Sequence, residues 1–180
     1  MIIGLSGFAQ VGKDTVAKTL VDDYGFEVRS FAQPMRDALY TLNPIVHAQG
    51  GTYKMQGLID AYGWDVAKVQ YPEIRRLLQV FGTEVGRKMF GENFWVNQAF
   101  AGVHSSKNVV FTDVRFPNEA SMIKDFYGQV WRIERPGVHA VNNHPSESSM
   151  DKWTFDKIIR NDSDIEALQE KVALGLKVVL

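Results

Sequence analysis

Apolar positions along this chain alternate between short unbroken runs and longer stripes at helical spacing, and their order predicts the architecture. Ile2 to Ser6 is a short apolar run stopped by Gly7, as expected of a buried strand entering a tight turn. From Asp14 onward Val16, Ala17, Leu20, Val21 and Tyr24 recur at helical spacing until Gly25. The chain therefore opens with strand, glycine loop and helix. Phe26 to Phe31 alternates apolar and polar side chains like a half-buried strand, and Pro34 stands near the start of a helix carrying Met35, Ala38, Leu39 and Leu42. Residues 43–71 are less regular, with weak helical patches around Met55 to Tyr62 and near Val66, and read as an insert. Pro72 opens the longest helical pattern, in which Ile74, Leu77, Leu78, Phe81, Val85 and Met89 form one stripe ending at Gly91. Asn93 can cap a further helix bearing Phe94, Val96, Ala99, Phe100 and Val103.

The second half repeats the alternation. Val109, Val110 and Phe111 give a buried strand that ends on Asp113, and Pro117 opens a helix that closes at Gly128. Gln129 to Glu134 is another strand, Arg135 to Lys152 is a polar loop or lid, and Phe155 to Ile159 is a last strand. Ser163 and Glu166 have capping-box spacing before a terminal helix through Leu168, Val172, Leu176 and Val179. Strands separated by helices predict an α/β fold with a parallel sheet covered on both faces.

Composition narrows the class of function. The 180 residues are 45% hydrophobic and 23% charged, which suits one globular unit, and the net charge of −1 argues against a nucleic-acid coat or a binder of anionic membranes. There is no cysteine, so disulfides, thiolate metal sites and cysteine nucleophiles are excluded. The N-terminus has no basic leader and no stretch approaches the length of a membrane span. The expectation is a cytoplasmic protein whose partner is a small anion.

Gly7-Phe8-Ala9-Gln10-Val11-Gly12-Lys13 has the spacing of a Walker A phosphate loop up to its last position. Glycines let successive backbone N–H groups turn inward around phosphate oxygens, the helix N-terminus adds its positive end, and Lys13 reaches the β- and γ-phosphates of ATP. Asp14 stands where Ser or Thr would hold magnesium, with Thr15 next. Asp14 either holds the ion or is an acidic residue favoured by the helix dipole; Thr15 is an α-phosphate contact or an ordinary surface threonine.

The strand ending on Asp113 has the Walker B pattern, which brings a carboxylate near the metal. Transfer between two anions also requires cations, for which Arg36, Arg75, Arg76, Arg87, Arg115, Arg132 and Arg135 are candidates. His144-Pro145-Ser146-Glu147 is not read as a metal site, since Pro145 in a polar loop argues against the helix that its spacing would need.

These segments resemble the deoxynucleoside monophosphate kinases of tailed bacteriophages. The resemblance runs through Gly7 to Thr15, Phe31 to Arg36, Leu78-Gln79 with Phe81 to Glu84, Arg87, Trp95, Asp113 to Glu119, and His144 to Glu147; Lys13-Asp14-Thr15 looks like that family's own loop ending. It implies a P-loop three-layer sandwich, a five-stranded parallel sheet with a helical acceptor-binding region at about 34–104 and a lid at about 135–152. The implied reaction moves the γ-phosphate of ATP to a deoxynucleoside monophosphate with Mg²⁺. By analogy Gly7, Ala9, Gln10, Val11, Gly12, Lys13, Asp14 and Thr15 hold the phosphates and Asn161 contacts adenine; Asp14 and Asp113 serve the metal. Lys13, Arg115, Arg132 and Arg135 act on the transferring phosphoryl, while Arg36, Gln79, Thr83, Arg87, Trp95 and Glu147 bind the acceptor. Dimerisation is compatible with the resemblance, and a phage-encoded protein would act in the host cytoplasm. Rival readings are another small-molecule P-loop kinase, such as one acting on dephospho-coenzyme A, and a nucleotide-binding switch.

Overall fold

A computed structural model describes residues 1–104, 106–139 and 148–177. The chain forms two compact units, one of residues 1–31 and 100–180 and one of residues 32–99.

The first unit is built on five strands: β1 (Ile2–Ser6), β2 (Glu27–Arg29), β5 (Val109–Phe111), β6 (Gln129–Glu134) and β7 (Lys157–Arg160). They pair in parallel in the order β2-β5-β1-β6-β7, with Ile3 opposite Val110 and Ser6 opposite Arg132. Helices α1 (Lys13–Tyr24), α7 (Pro117–Asp125) and α8 (Ile165–Lys177) cover the sheet. Alternation along β1 divides the two faces. Ile3 and Leu5 join Val16 and Leu20 of α1 and Leu168, Val172 and Leu176 of α8 in one buried core. On the opposite face Gly4 admits α7: a side-chain carbon on Gly4 would lie 2.3 Å from Ile123. Parallel strands all end at the same edge, so the segments following β1 and β5, which are neighbours, emerge side by side.

Phe31 and Phe100 mark where the chain leaves and re-enters this unit, and both rings stack on Phe111 with centroids 4.6 and 4.7 Å apart. Such aromatic contacts contribute about 1 kcal/mol each beyond burial and fix both crossing points.

The second unit has its own core of Leu39, Val46, Met55, Leu58, Ile59, Ala67 and Ile74. It contains α2 (Gln33–Leu42), an antiparallel hairpin of β3 (Ile45–Ala48) and β4 (Gly51–Lys54), α3 (Met55–Gln70), α4 (Pro72–Val80), a π-helical segment Phe81–Arg87, α5 (Lys88–Phe90) and most of α6 (Phe94–Phe100). The hairpin falls within the stretch expected to be only an insert with weak helices. Gly50, at φ 100°, makes its turn, and Asn43 and Gln56 join its ends through paired side-chain and backbone bonds at 3.0 Å. The two weak helical patches are the arms of α3, separated at Gly63, whose φ of 71° breaks the helix.

Two caps differ from expectation. At α8 the acceptor is Asp164, whose carboxylate takes the Ala167 N–H at 2.9 Å, not Ser163. Helix α7 ends at Asp125, before Gly128, because Tyr127 turns the chain at φ 58°.

Candidate functional site

The loop between β1 and α1 owes its shape to its glycines. Gly7 adopts φ 140°, and a side-chain carbon there would lie 2.4 Å from the Ile133 carbonyl oxygen. Gly12 adopts φ 108° at the N-cap of α1, where no side chain caps the helix. The backbone N–H groups of the first turn therefore face the loop with the positive end of the helix behind them, an arrangement suited to a phosphate. Lys13 Nζ bends back over the loop and donates to the carbonyls of Gly7 at 2.8 Å and Phe8 at 2.6 Å. Ala9 and Gln10 form the exposed crest, with Gln10 at φ 65°, while Val11 turns inward and is buried in the core. Asp14 is exposed in the first turn of α1 and Thr15 is half-buried beside it.

Asp113 follows β5 at the same edge of the sheet. Its carboxylate accepts from the Ser30 hydroxyl at 2.6 Å and from the Phe31 N–H at 2.8 Å. Part of its capacity thus fixes the chain beyond β2, a use that sequence reading missed. Downstream, Glu119 is buried, and its Oε2 accepts the N–H groups of Arg115 at 2.7 Å and Phe116 at 3.1 Å. This holds the turn bearing Arg115. Its sequence signal was present: Glu119 follows Pro117 by two residues, where an acid can reach back over a helix start.

Arg115 and Arg132 line one small cleft with Ser6, Gly7, Phe8 and Met150, so two of the expected cations stand at the loop. Arg132 is held firmly. Its guanidinium lies 5.4 Å from the centroid of the Phe8 ring and 5.3 Å from that of Phe155, with Glu134 at 3.6 Å and Asp151 at 3.9 Å. Arg135 is exposed beyond β6. Asn161 follows β7 and donates its side-chain amide to the Val11 carbonyl at 2.9 Å, which puts it against the loop itself.

The expected acceptor residues Arg36, Gln79, Thr83, Arg87 and Trp95 all belong to the second unit. Gln79 and Thr83 are exposed, and Arg36 and Arg87 are half-buried. Helical geometry puts Gln79, Thr83 and Arg87 on one side of their segment and Phe81 and Val85 on the other. Phe81 and Val85 line an apolar groove of about 400 Å³ with Pro34, Ala38, Phe90, Phe94, Trp95 and Gln98. Trp95 braces the π-helical segment: its indole N–H donates to the Gly82 carbonyl at 2.9 Å, and its ring lies so close to Gly86 that a side-chain carbon there would meet it at 2.0 Å. Arg76 is engaged with Glu73 through two bonds of 2.7 Å, and the Glu73 carboxyl is lowered mainly by that contact. Arg36 helps to lower the Asp65 carboxyl, after the larger effect of Lys68. Glu147, with the rest of the 144–147 segment, lies outside the described residues.

Among the described residues no group of three or more His, Cys, Asp or Glu side chains could enclose a metal. The expected pair, Asp14 and Asp113, supplies only hard oxygen donors. This suits magnesium, which takes one or two carboxylates and completes its shell with phosphate and water.

A family profile described as deoxynucleotide monophosphate kinase matches residues 65–172. A provisionally named deoxynucleotide monophosphate kinase of Acanthamoeba polyphaga mimivirus is 29% identical, over 96% of this chain and 94% of that protein. The deoxynucleotide monophosphate kinase of Enterobacteria phage T4 is 28% identical over 59% of this chain, and the match spans 46% of the phage protein. Among solved structures, shikimate kinase from Aquifex aeolicus superposes with a TM-score of 0.52 at 13% identity, over 98% of this chain and 96% of that one. That likeness establishes the α/β kinase fold.

Proposed function

This chain belongs to the deoxynucleotide monophosphate kinase family, and from that premise we propose that it transfers the γ-phosphate of ATP to a deoxynucleoside 5′-monophosphate. The products are ADP and the deoxynucleoside diphosphate. The observation that carries the reading is the loop of the first unit, with glycines at φ 140° and 108°, an uncapped helix start, and Lys13 bent over its carbonyls. Family membership does not favour the dephospho-coenzyme A kinase or switch alternatives.

In the proposed mechanism an oxygen of the acceptor 5′-phosphate attacks the γ-phosphorus of ATP as the bond to the β–γ bridging oxygen breaks. The loop N–H groups orient the phosphates before reaction, and Lys13 stabilises charge that grows on the leaving oxygen. Arg115 and Arg132 spread the charge of the transferring group, and Arg135 completes the cationic set from the mouth of β6. Arg36 and Arg87 hold the acceptor phosphate, with Gln79 and Thr83 as its polar contacts and Trp95 as the brace of the segment that carries them. Asp14 and Asp113 would hold magnesium, which supplies neutralisation of the β- and γ-oxygens when bound with ATP. Both substrates are cytoplasmic metabolites, so the proposal assigns the protein there, without nucleic-acid or membrane partners. Among the described residues no helix is long and apolar enough to cross a membrane.

The test is ADP release measured with ATP, magnesium and each common ribo- and deoxyribonucleoside monophosphate in turn. Acceptor-dependent release with at least one deoxynucleotide is expected. A folded protein that turns over with none of them refutes the proposal.

A further inference from the structure

We propose that Asn161 is a positioning residue for the phosphate loop, its carboxamide setting the plane of the Val11–Gly12 peptide so that the Gly12 N–H is aimed at the bound phosphates. The inference rests on the reading of this loop as the triphosphate site. Asn161 Nδ2 donates to the Val11 carbonyl at 2.9 Å. In a planar trans peptide the N–H points opposite to the C=O, so drawing the Val11 carbonyl toward Asn161 turns the Gly12 N–H away from it, into the loop. Gly12 accommodates the contact, because a side-chain carbon on it would lie 2.6 Å from Asn161 Nδ2 and 3.5 Å from Leu168 of α8.

Asn161 is itself fixed from both sides. Its backbone N–H donates to the Glu134 carbonyl at 2.7 Å, which extends the pairing of β7 with β6. Lys171 of α8 clamps its two neighbours, donating to the Arg160 carbonyl at 2.8 Å and to the Asp162 carboxylate at 2.5 Å. The side chain therefore comes to the loop from a rigid strand end secured by a helix, as a part that must set one peptide plane requires. Orientation by Asn161 makes no use of the adenine ring. It predicts an effect common to every ligand with the same phosphates.

Equilibrium binding of ATP and of inorganic tripolyphosphate to the full chain and to its Asn161→Ala and Asn161→Leu variants tests this, with thermal melts to confirm folding at the assay temperature. Asn161→Ala is expected to weaken both ligands by the same factor of about tenfold, the scale of one hydrogen bond. Asn161→Leu is close in shape and uncharged but cannot donate, and is expected to weaken both at least as much, so it decides the matter if the alanine variant does not fold. In turnover the KM for ATP should rise while the acceptor KM stays constant. Loss confined to ATP, with tripolyphosphate unaffected, would show an adenine contact and overturn the inference, as would wild-type binding by either variant. Wild-type protein that binds neither ligand overturns the triphosphate-loop reading beneath it.

Discussion

In residues 1–31 and 100–180 the phosphate loop takes its shape from the backbone, whereas in residues 32–99 the acceptor candidates are side chains carried on helices. The phosphate loop depends on two glycines with positive φ, an uncapped helix start and carbonyls bonded by Lys13 and Asn161. The acceptor candidates Gln79, Thr83 and Arg87 instead stand on a helical segment whose geometry is maintained from beneath by the Trp95 indole. A phosphate is the same in every nucleotide and can be met by fixed peptide groups. Any reading of an acceptor's base or sugar falls instead to side chains, which differ from one another in shape and hydrogen bonding as peptide groups do not.

Lys13→Ala should have the largest effect, lowering kcat about a thousandfold while the protein stays folded at the assay temperature; retention of turnover would remove the loop from the chemistry. Gly7→Ala and Gly86→Ala should come next, each destabilising by about 2–3 kcal/mol through overpacking, one against the Ile133 carbonyl and the other against Trp95. Their functional readouts should differ, with Gly7→Ala weakening triphosphate binding and Gly86→Ala impairing acceptor use while triphosphate affinity is kept. Equal loss of both affinities in both variants would erase the distinction. Arg87→Ala should raise the acceptor KM about tenfold or more and leave ATP affinity alone, because a charge-assisted contact contributes roughly 1.5–3 kcal/mol. Trp95→Phe, which removes the bond to the Gly82 carbonyl together with part of the ring packed against Gly86, should cost about 1–3 kcal/mol in stability; a change under a few tenths would mean that the π-helical segment does not need the indole.

The same contrast governs what the amino-acid sequence revealed. The sheet and the phosphate loop were legible because β1 and β5 are continuous apolar runs, β2 and β6 alternate apolar with polar residues, β7 carries the pair Ile158-Ile159, and Gly7, Gly12 and Lys13 are demanded by backbone geometry at set spacing. The hairpin was not. Ile45 to Ala48 and Gly51 to Lys54 are short and mostly exposed, so little apolar alternation marked them, although Gln49-Gly50-Gly51 carried a turn signal. Distant pairings were also hidden: that Asp113 would secure Ser30 and Phe31, or that Asn161 would reach Val11, follows from tertiary contact across 82, 83 and 150 positions and leaves no local pattern. The Glu119 bond to Arg115, only four residues away, was within reach of a capping rule.

The most direct measurement follows label from γ-³²P-ATP into deoxynucleoside monophosphates, with wild type and Lys13→Ala compared under the same conditions. Wild type should put label into a deoxynucleoside diphosphate, and Lys13→Ala almost none. Label released only as inorganic phosphate, at a rate indifferent to every deoxynucleoside monophosphate offered, would contradict it.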